Sequence, residues 1–289
     1  MKLRYSLLAT AALVLGTAQA RAQNFSDTVM GVRDSMFDTN VGGNPGSEKG
    51  TRNVNKVIVY FGNFDVWDYG SNFFNVDTLL SNPNEAANNS PGGSTEFYAV
   101  YRGQLSPDKI WGVSTKFGPF SAVNIEFGGD LESENTYLAP DKKDFVFGPN
   151  FHLDLPGGGF LNTGIHAYKE WNHNSFLSQP NPSYNIVPEF EFVWLYPLKF
   201  TGLPMDFRGF ANVTLPKGNG GSGPINNTST EMLARPQIQL DLGSMLYNKP
   251  HKPDVFFAVE LWHNKFGFSS KQLSGTDEVA PTIGVEFHF

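Results

Sequence analysis

The sequence predicts an all-β fold, a transmembrane antiparallel up-and-down β-barrel of twelve strands, preceded by a cleaved signal peptide. Three observations support this prediction. Only 17% of the 289 residues are charged, below the quarter that is usual in soluble domains, although 26 residues are Phe and the mean hydropathy is −0.29. Apolar and polar residues alternate through segments of about ten residues. Polar connectors of longer and shorter length separate these segments, which is typical of outer-membrane barrels.

Composition and motifs exclude several other classes of protein. A helical membrane protein would need apolar runs of about 20 residues, and a disordered chain would be poor in aromatic residues. The chain has no Cys and a net charge of −7, which argues against a disulfide scaffold, a thiolate metal site and nucleic-acid binding. It contains no nucleophile elbow, no His-Glu-x-x-His pair and no phosphate-binding loop, and its six His residues lack metal-ligand spacing. We therefore expect no enzymatic activity, no cofactor and no metal.

Residues 1–22 have the layout of a secretory signal peptide. Lys2 and Arg4 precede an apolar stretch at 6–15, and small residues follow it. The stretch is too short to span a bilayer, and Ala-x-Ala patterns predict cleavage after Ala20 or Ala22. Residues 23–289 are then expected to form a single domain that lies outside the cytoplasm.

Period-two alternation continues from Phe25 to the final residue. The first of these segments is the least regular, because Asp27, Arg33 and Asp34 interrupt its apolar face. Twelve candidate strands result: 25–37, 53–65, 70–80, 95–106, 117–131, 143–155, 159–171, 184–196, 205–215, 230–242, 254–266 and 279–289.

The register of these strands is strongly specified if lipid lies outside. The last segment places Val279, Pro281 and Phe289 on one face, and Glu286 and His288 on the other. A slip of one residue would exchange the two faces of a strand. In segment 230–242 such a slip would move Arg235 into lipid, at a cost of about 2–4 kcal/mol near the midplane.

The connectors predict how the barrel lies in the membrane. Six longer polar connectors at 38–52, 81–94, 132–142, 172–183, 216–229 and 267–278 are expected outside the cell, and both termini in the periplasm. A soluble β-sandwich would also alternate. Here, however, the polar faces mix Asn, Gln and acidic residues with aromatics, and aromatics often begin or end the strands, as in membrane girdles.

Several short sequence motifs resemble those of the nucleoside-specific channel-forming (Tsx-type) outer-membrane family, and the chain looks like a distant member of it. They keep the order of that family and extend over nearly the whole chain after residue 22. They are FSDT at 25–28, WDYGSNFFNVD at 67–77, KFGP at 116–119, YKEWN at 168–172, RPQIQLDLG at 235–243, LWHNKFG at 261–267 and DEVAP at 277–281, with the terminal Phe289. The resemblance implies a monomeric twelve-stranded barrel in the outer membrane of a Gram-negative bacterium, with a narrow lumen that passes nucleosides and deoxynucleosides. Phe73, Phe74 and Asp77 match a Phe-rich motif that contributes to nucleoside sites in that family.

The inner faces supply candidate groups for such a solute. A nucleoside needs an aromatic face for its base, and carboxylate, amide or guanidinium groups for its sugar and base edges. The candidates are Phe73, Asn75, Asp77, Glu96, Tyr98, Arg102, Arg208, Phe210, Arg235, Gln237, Glu260 and Trp262.

Each candidate also has a structural interpretation. Phe73 and Phe74 point to opposite faces, so at most one of them faces the lumen, and either could belong to a girdle. The charged groups could form a salt-bridge network inside a filled barrel, and Trp262 could pack on the wall.

Three functional hypotheses follow from these observations. The first is a passive channel for nucleosides or similar small solutes. The second is a non-conducting barrel that acts as a surface receptor or structural protein, and the third is a secreted soluble β-protein. As a membrane barrel the chain would contact outer-membrane lipid, and Phe289 would be recognised by the barrel-assembly machinery.

Overall fold

The protein is a closed antiparallel β-barrel. A computed structural model describes residues 23–39, 53–85, 92–135, 141–173, 181–220 and 227–289. Each strand pairs with its neighbours in the sequence, and β1 pairs with β12 to close the barrel. The described ranges contain β1 (Gln23–Thr39), β2 (Asn53–Trp67), β3 (Gly70–Ser81), β4 (Thr95–Leu105), β5 (Ala122–Glu134), β6 (Asp141–Leu155), β7 (Gly159–Trp171), β8 (Val187–Pro197), β9 (Met205–Thr214), β10 (Glu231–Asp241), β11 (Asp254–His263) and β12 (Glu278–His288). The predicted twelve-stranded barrel is confirmed, whereas the predicted signal peptide lies outside the described residues.

Alternation along each strand separates an apolar outside from a polar inside. On β2, Val57, Val59 and Phe61 are exposed outward, whereas Lys56, Ile58 and Tyr60, which alternate with them, are buried inward. In the described part of the chain, buried polar and charged side chains outnumber buried hydrophobic ones, the reverse of a soluble core. An apolar exterior around a polar interior is the arrangement of a membrane barrel, and the predicted faces of β10 and β12 are as expected.

Closure brings the two ends of the chain together. Val32 lies opposite Val285, and Asp34 opposite Ile283. The Phe289 amide donates to the Thr28 carbonyl at 2.9 Å. The termini lie at one end of the barrel, which we call the terminus end, and the longer connectors mainly join strands at the opposite end, which we call the loop end.

Several predicted boundaries and connectors are wrong. The strand predicted at 117–131 begins at Ala122, because residues 106–121 form a long connector containing the helix α1 (Pro107–Trp111). Connector length therefore does not alternate strictly, since this terminus-end connector is among the longest. The strand predicted at 184–196 begins at Val187, and the one predicted at 254–266 ends at His263.

Helical segments are confined to connectors. The helix α2 (Leu242–Tyr247) follows β10 directly, and the Asp241 carboxylate caps it by accepting from the Ser244 amide at 2.7 Å. Two 3-10 turns lie at Lys199–Thr201 and Lys265–Gly267. None of the helices in the described ranges is long and apolar enough to cross a membrane.

Candidate functional site: the barrel lumen

The register places all twelve predicted site residues on the inner face of the barrel. Direct pairs run from β2 to β5 as Tyr60, Asp77, Tyr98 and Glu132, and buried Tyr60 fixes this row as inward. The other predicted residues belong to the same or equivalent rows: Phe73, Asn75, Glu96, Arg102, Arg208, Phe210, Arg235, Gln237, Glu260 and Trp262. The structure does not gather them into one pocket but distributes them over several clusters.

The Arg102 cluster reaches from one side of the lumen to another. The Arg102 guanidinium on β4 lies 2.8 Å from Asp130 on β5 and 3.1 Å from Glu191 on β8. Tyr98 donates to the same Asp130 carboxylate at 2.5 Å. The contact with Glu191 crosses the positions of three intervening strands, so it constricts the lumen. The predicted salt-bridge interpretation describes this cluster.

A second ion pair joins β1 to β3 across β2. Arg33 contacts Asp77 at 2.5 Å, and its guanidinium lies 5.0 Å from the Tyr60 ring centroid. Asn75 donates to the other Asp77 oxygen at 2.7 Å. Tyr60 in turn donates to Glu286 on β12 at 2.5 Å. Asp77 is therefore held by neighbouring side chains rather than standing free in the lumen.

The wall formed by β9 to β11 is less completely paired. Arg235 lies 5.2 Å from the Phe210 ring centroid and 4.0 Å from Glu260, and both members of this ion pair keep about a quarter of their side-chain surface exposed. Arg208 contacts Asp206 at 2.5 Å and is similarly exposed. These guanidinium groups are therefore accessible to a solute in the lumen.

Phenyl rings occupy the inner face near the terminus end. Phe73 is 39% exposed and lies directly opposite Phe64 on β2 and Arg102 on β4. Phe25 on β1 is exposed too, and its ring centroid is 6.2 Å from that of Phe64. Phe74 points outward and packs 5.7 Å from outward Phe61. Of the two adjacent Phe residues, Phe73 is the one that faces the lumen.

Buried lysines from connectors close the polar network at the loop end. Lys217 follows β9 and contacts Glu170 on β7 at 2.6 Å and Glu231 on β10 at 3.2 Å. Burial alone would lower the pKa of the Lys217 ammonium, but the two carboxylates outweigh it and hold this pKa above its ordinary value. Burial beside Glu170 also raises the pKa of Tyr184 to about 12. In the sequence Tyr184 shares the apolar face of the segment predicted at 184–196, which would place it against lipid. It is instead 2% exposed and packs against Lys217, so that placement is wrong.

Trp262 and Glu96 belong to this loop-end network. The Trp262 indole nitrogen donates to Glu231 at 3.0 Å, and the Lys265 ammonium lies 4.6 Å from the ring centroid. Lys265 also contacts Glu278 at 2.7 Å. The Glu96 carboxylate lies 3.0 Å from Lys56. The interpretation of Trp262 as a packing residue therefore agrees with its contacts.

Several inner-face residues lie outside the predicted set of site residues. They are Arg33 on β1, Tyr60 and Phe64 on β2, and His166 on β7. Alternation alone places each of them inward, but their partners lie on other strands.

Comparisons with known proteins agree with the fold. No protein-family model matches the chain, and no curated protein matches its sequence. An outer-membrane channel from Pseudomonas putida F1 is similar in structure, with a TM-score of 0.50 at 8% identity over 95% of this chain and 98% of that one. The translocator domain of the autotransporter NalP from Neisseria meningitidis gives a TM-score of 0.44 at 11% identity over 99% of this chain and 95% of that one. OprB from Pseudomonas putida gives a TM-score of 0.35 at 8% identity over 98% of this chain and 97% of that one. The closed barrel and its apolar exterior place the protein in the outer membrane of a Gram-negative bacterium.

Proposed function

We propose that the protein is a passive, non-enzymatic outer-membrane channel for small neutral solutes, with nucleosides and deoxynucleosides as the leading substrate class. The observation that carries the proposal is the exposed ring of Phe73 on the inner wall, facing the partly exposed guanidinium groups of Arg208 and Arg235 on the opposite wall. Stacking on such rings contributes about 1–3 kcal/mol per base, which permits binding with fast release. The motifs that resemble the Tsx-type family support the same substrate class.

The charge of the lumen favours neutral or cationic solutes over anions. Carboxylates clearly outnumber basic groups on the inner faces of the described strands; β5 alone directs Glu126, Asp130, Glu132 and Glu134 inward. A phosphate group would meet this field as a like charge, whereas a nucleoside would not. The proposal therefore covers nucleosides and excludes nucleotides. The channel is expected to work as a monomer surrounded by lipid, with Phe289 as the signal for barrel assembly.

The test is the block of single-channel current by adenosine and thymidine in planar bilayers. We expect Phe73→Ala to weaken the block by roughly 5- to 150-fold, the equivalent of one stacking contact. Phe74→Ala is the matched control, because the adjacent ring points to lipid. Trp262→Ala should have less effect, since the Trp262 ring already contacts Lys265 and its indole nitrogen already donates to Glu231.

The outcomes separate the alternatives. Equal block of both Phe variants would show that Phe73 does not bind the base. Conductance without any saturable nucleoside effect would identify a general small-solute pore.

A non-conducting barrel is the second candidate. It is favoured by the contact between Arg102 and Glu191, which crosses the lumen, and by the buried Lys217 at the loop end. Absence of conductance from correctly folded protein would support this role as a receptor or structural barrel.

A further inference from the structure

His166 on β7 is a buried inner-face residue whose ring nitrogens have no hydrogen-bond partner among the described residues. The residue is 2% exposed, and neither Nδ1 nor Nε2 donates or accepts a hydrogen bond. Buried polar groups are nearly always paired, since an unpaired one loses its hydration without compensation. Among the described residues no side chain hydrogen-bonds to these two nitrogens, so both are free to bind a ligand.

The groups around the imidazole are carboxylates. Nε2 lies 3.9 Å from Glu126 on β5, and Nδ1 lies 4.0 Å from Glu189 on β8. A carboxylate oxygen of Glu126, a ring nitrogen of His166 and a carboxylate oxygen of Glu191 lie within 4.8 Å of one another. All three residues are buried. The Glu189 Oε1 atom also lacks a hydrogen-bond partner among the described residues.

The backbone leaves room for this ring. A Cβ atom on Gly164, two residues earlier on the same face of β7, would lie 2.4 Å from the His166 Cε1 atom and 2.5 Å from Nε2. A side chain at 164 would thus displace the imidazole from its position between the carboxylates. The glycine therefore leaves room for the ring in the position where Nε2 faces Glu126 and Nδ1 faces Glu189.

Carboxylates outnumber basic groups around His166. Arg102 contacts Glu191 at 3.1 Å and Glu126 at 3.9 Å, and Lys142 contacts Asp144 at 3.1 Å beside Asp130. The Glu126 carboxylate also accepts from Gln104 at 2.9 Å and from Asn150 at 2.5 Å. These two basic groups face the carboxylates of Glu126, Asp130, Asp144, Glu189 and Glu191, so acidic groups are in excess, and unbalanced buried charge is costly. An imidazole together with carboxylates is a ligand set for a first-row transition metal, whereas Ca²⁺ and Mg²⁺ prefer oxygen ligands alone.

We propose that Glu126, His166 and Glu191 form a binding site for one divalent transition-metal ion, such as Zn²⁺ or Co²⁺, inside the barrel. Bonds of about 2.0–2.2 Å to a tetrahedral ion would place ligand atoms roughly 3.3 Å apart, so the 3.9 Å separation closes with a small side-chain movement. Glu189 lies on the other ring nitrogen. With the ion bound, a small movement of Glu189 from its present 4.0 Å would let its carboxylate accept from Nδ1–H and orient the metal-bound His. The ion would tie β5, β7 and β8 together beside the constriction made by Arg102.

The experiment is a Co²⁺ titration of the full mature chain. The protein is folded in detergent micelles without a polyhistidine tag and freed of metal by a chelator. We expect the visible absorption of one bound Co²⁺ per barrel, displaced by Zn²⁺, and at least a tenfold loss of affinity in His166→Gln. His152→Gln is the matched control, because His152 faces inward on the neighbouring strand but already contacts Asn162 at 2.6 Å. This variant should bind Co²⁺ as the original chain does.

A second cluster defines the main competing outcome. Asp241, His251 and Asp254 at the terminus end also bring ligand-type atoms within 4.8 Å. Loss of Co²⁺ binding in His251→Gln but not in His166→Gln would overturn the proposal. So would the absence of stoichiometric binding to the original chain, because a proton or a water molecule would then partner the imidazole.

Folding of each variant is checked by its mobility on a gel without heating. If His166→Gln does not fold, Glu191→Gln provides the second test, since the amide keeps the shape of the carboxylate. Undiminished Co²⁺ affinity in that folded variant would overturn the proposal.

Discussion

Replacing Arg102 with Met tests whether the polar network both holds the barrel and constricts it. Met keeps an unbranched chain in the space of the arginine stem but removes the charge that Asp130, Glu126 and Glu191 share. The side chains of these three carboxylates are each less than 10% exposed, so they would remain as uncompensated buried charges. Removing one partner of a buried ion pair costs about 3–5 kcal/mol of the free energy of unfolding.

The matched control is Arg208→Met. Arg208 also faces the lumen, but its one ion pair within the described ranges is with Asp206, and the two side chains are 25% and 16% exposed. Water screens this pair, so we expect a loss nearer to the ~1 kcal/mol upper range of exposed ion pairs. Urea unfolding in detergent micelles, followed by Trp fluorescence, measures both losses.

Two further measurements complete this prediction. The double variant Arg102→Met with Glu191→Gln should recover part of the stability, because one uncompensated carboxylate is removed. The single-channel conductance of Arg102→Met should rise, since the contact across the lumen is gone. Equal stability of Arg102→Met and Arg208→Met, together with unchanged conductance, would refute this account of the cluster.

Three other predictions use the same physical reasoning. Lys217→Met should lower the free energy of unfolding by about 3–5 kcal/mol. Lys143→Met, which breaks an exposed pair with Asp141, should lower it by at most ~1 kcal/mol in the same urea assay. Equal losses would contradict the buried position of Lys217. Phe147→Arg, at a lipid-facing position on β6, should cost about 2–4 kcal/mol, and a neutral effect would mean that this position does not face lipid. If the protein conducts, the reversal potential in a KCl gradient should show a preference for K⁺ over Cl⁻. Lowering the pH below the pKa range of carboxylates should reduce this preference, because the carboxylates lose their charge. A preference for anions would contradict an acidic lumen.

The number of strands and the inner faces could be predicted from the sequence because the pleat imposes a period of two. On β9 and β10 the predicted inward residues Arg208 and Gln237 are direct cross-strand neighbours, and Phe210 pairs with Arg235 in the same way. The alternation within one strand is enough to assign its residues to two faces, so this assignment needs no information from the rest of the chain. The cost of placing a charge against lipid then fixes which face is inward.

Partners across the barrel could not be predicted in this way. Arg33 interrupts the pattern of β1 as a single residue, and the pairing of β1, β2 and β3 brings it to Asp77. Tyr184 continues the apolar alternation of β8, but Lys217 from another connector buries it beside Glu170. Both outcomes depend on contacts between segments that are distant in the sequence.

The polar network that stabilises the barrel also limits which residues can act on a solute. Tyr98, Asp77, Glu96 and Arg102 are engaged by neighbouring side chains, so a solute would have to break an ion pair or hydrogen bond to reach them. The accessible members of the predicted set are Phe73 near the terminus end and the Arg208, Arg235 and Glu260 side chains on the opposite wall. A solute that passes through this lumen must therefore gain its affinity from ring stacking and from these partly exposed charges. Substitutions at Phe73 should alter selectivity with little loss of stability, whereas substitutions at Arg102 should change both together.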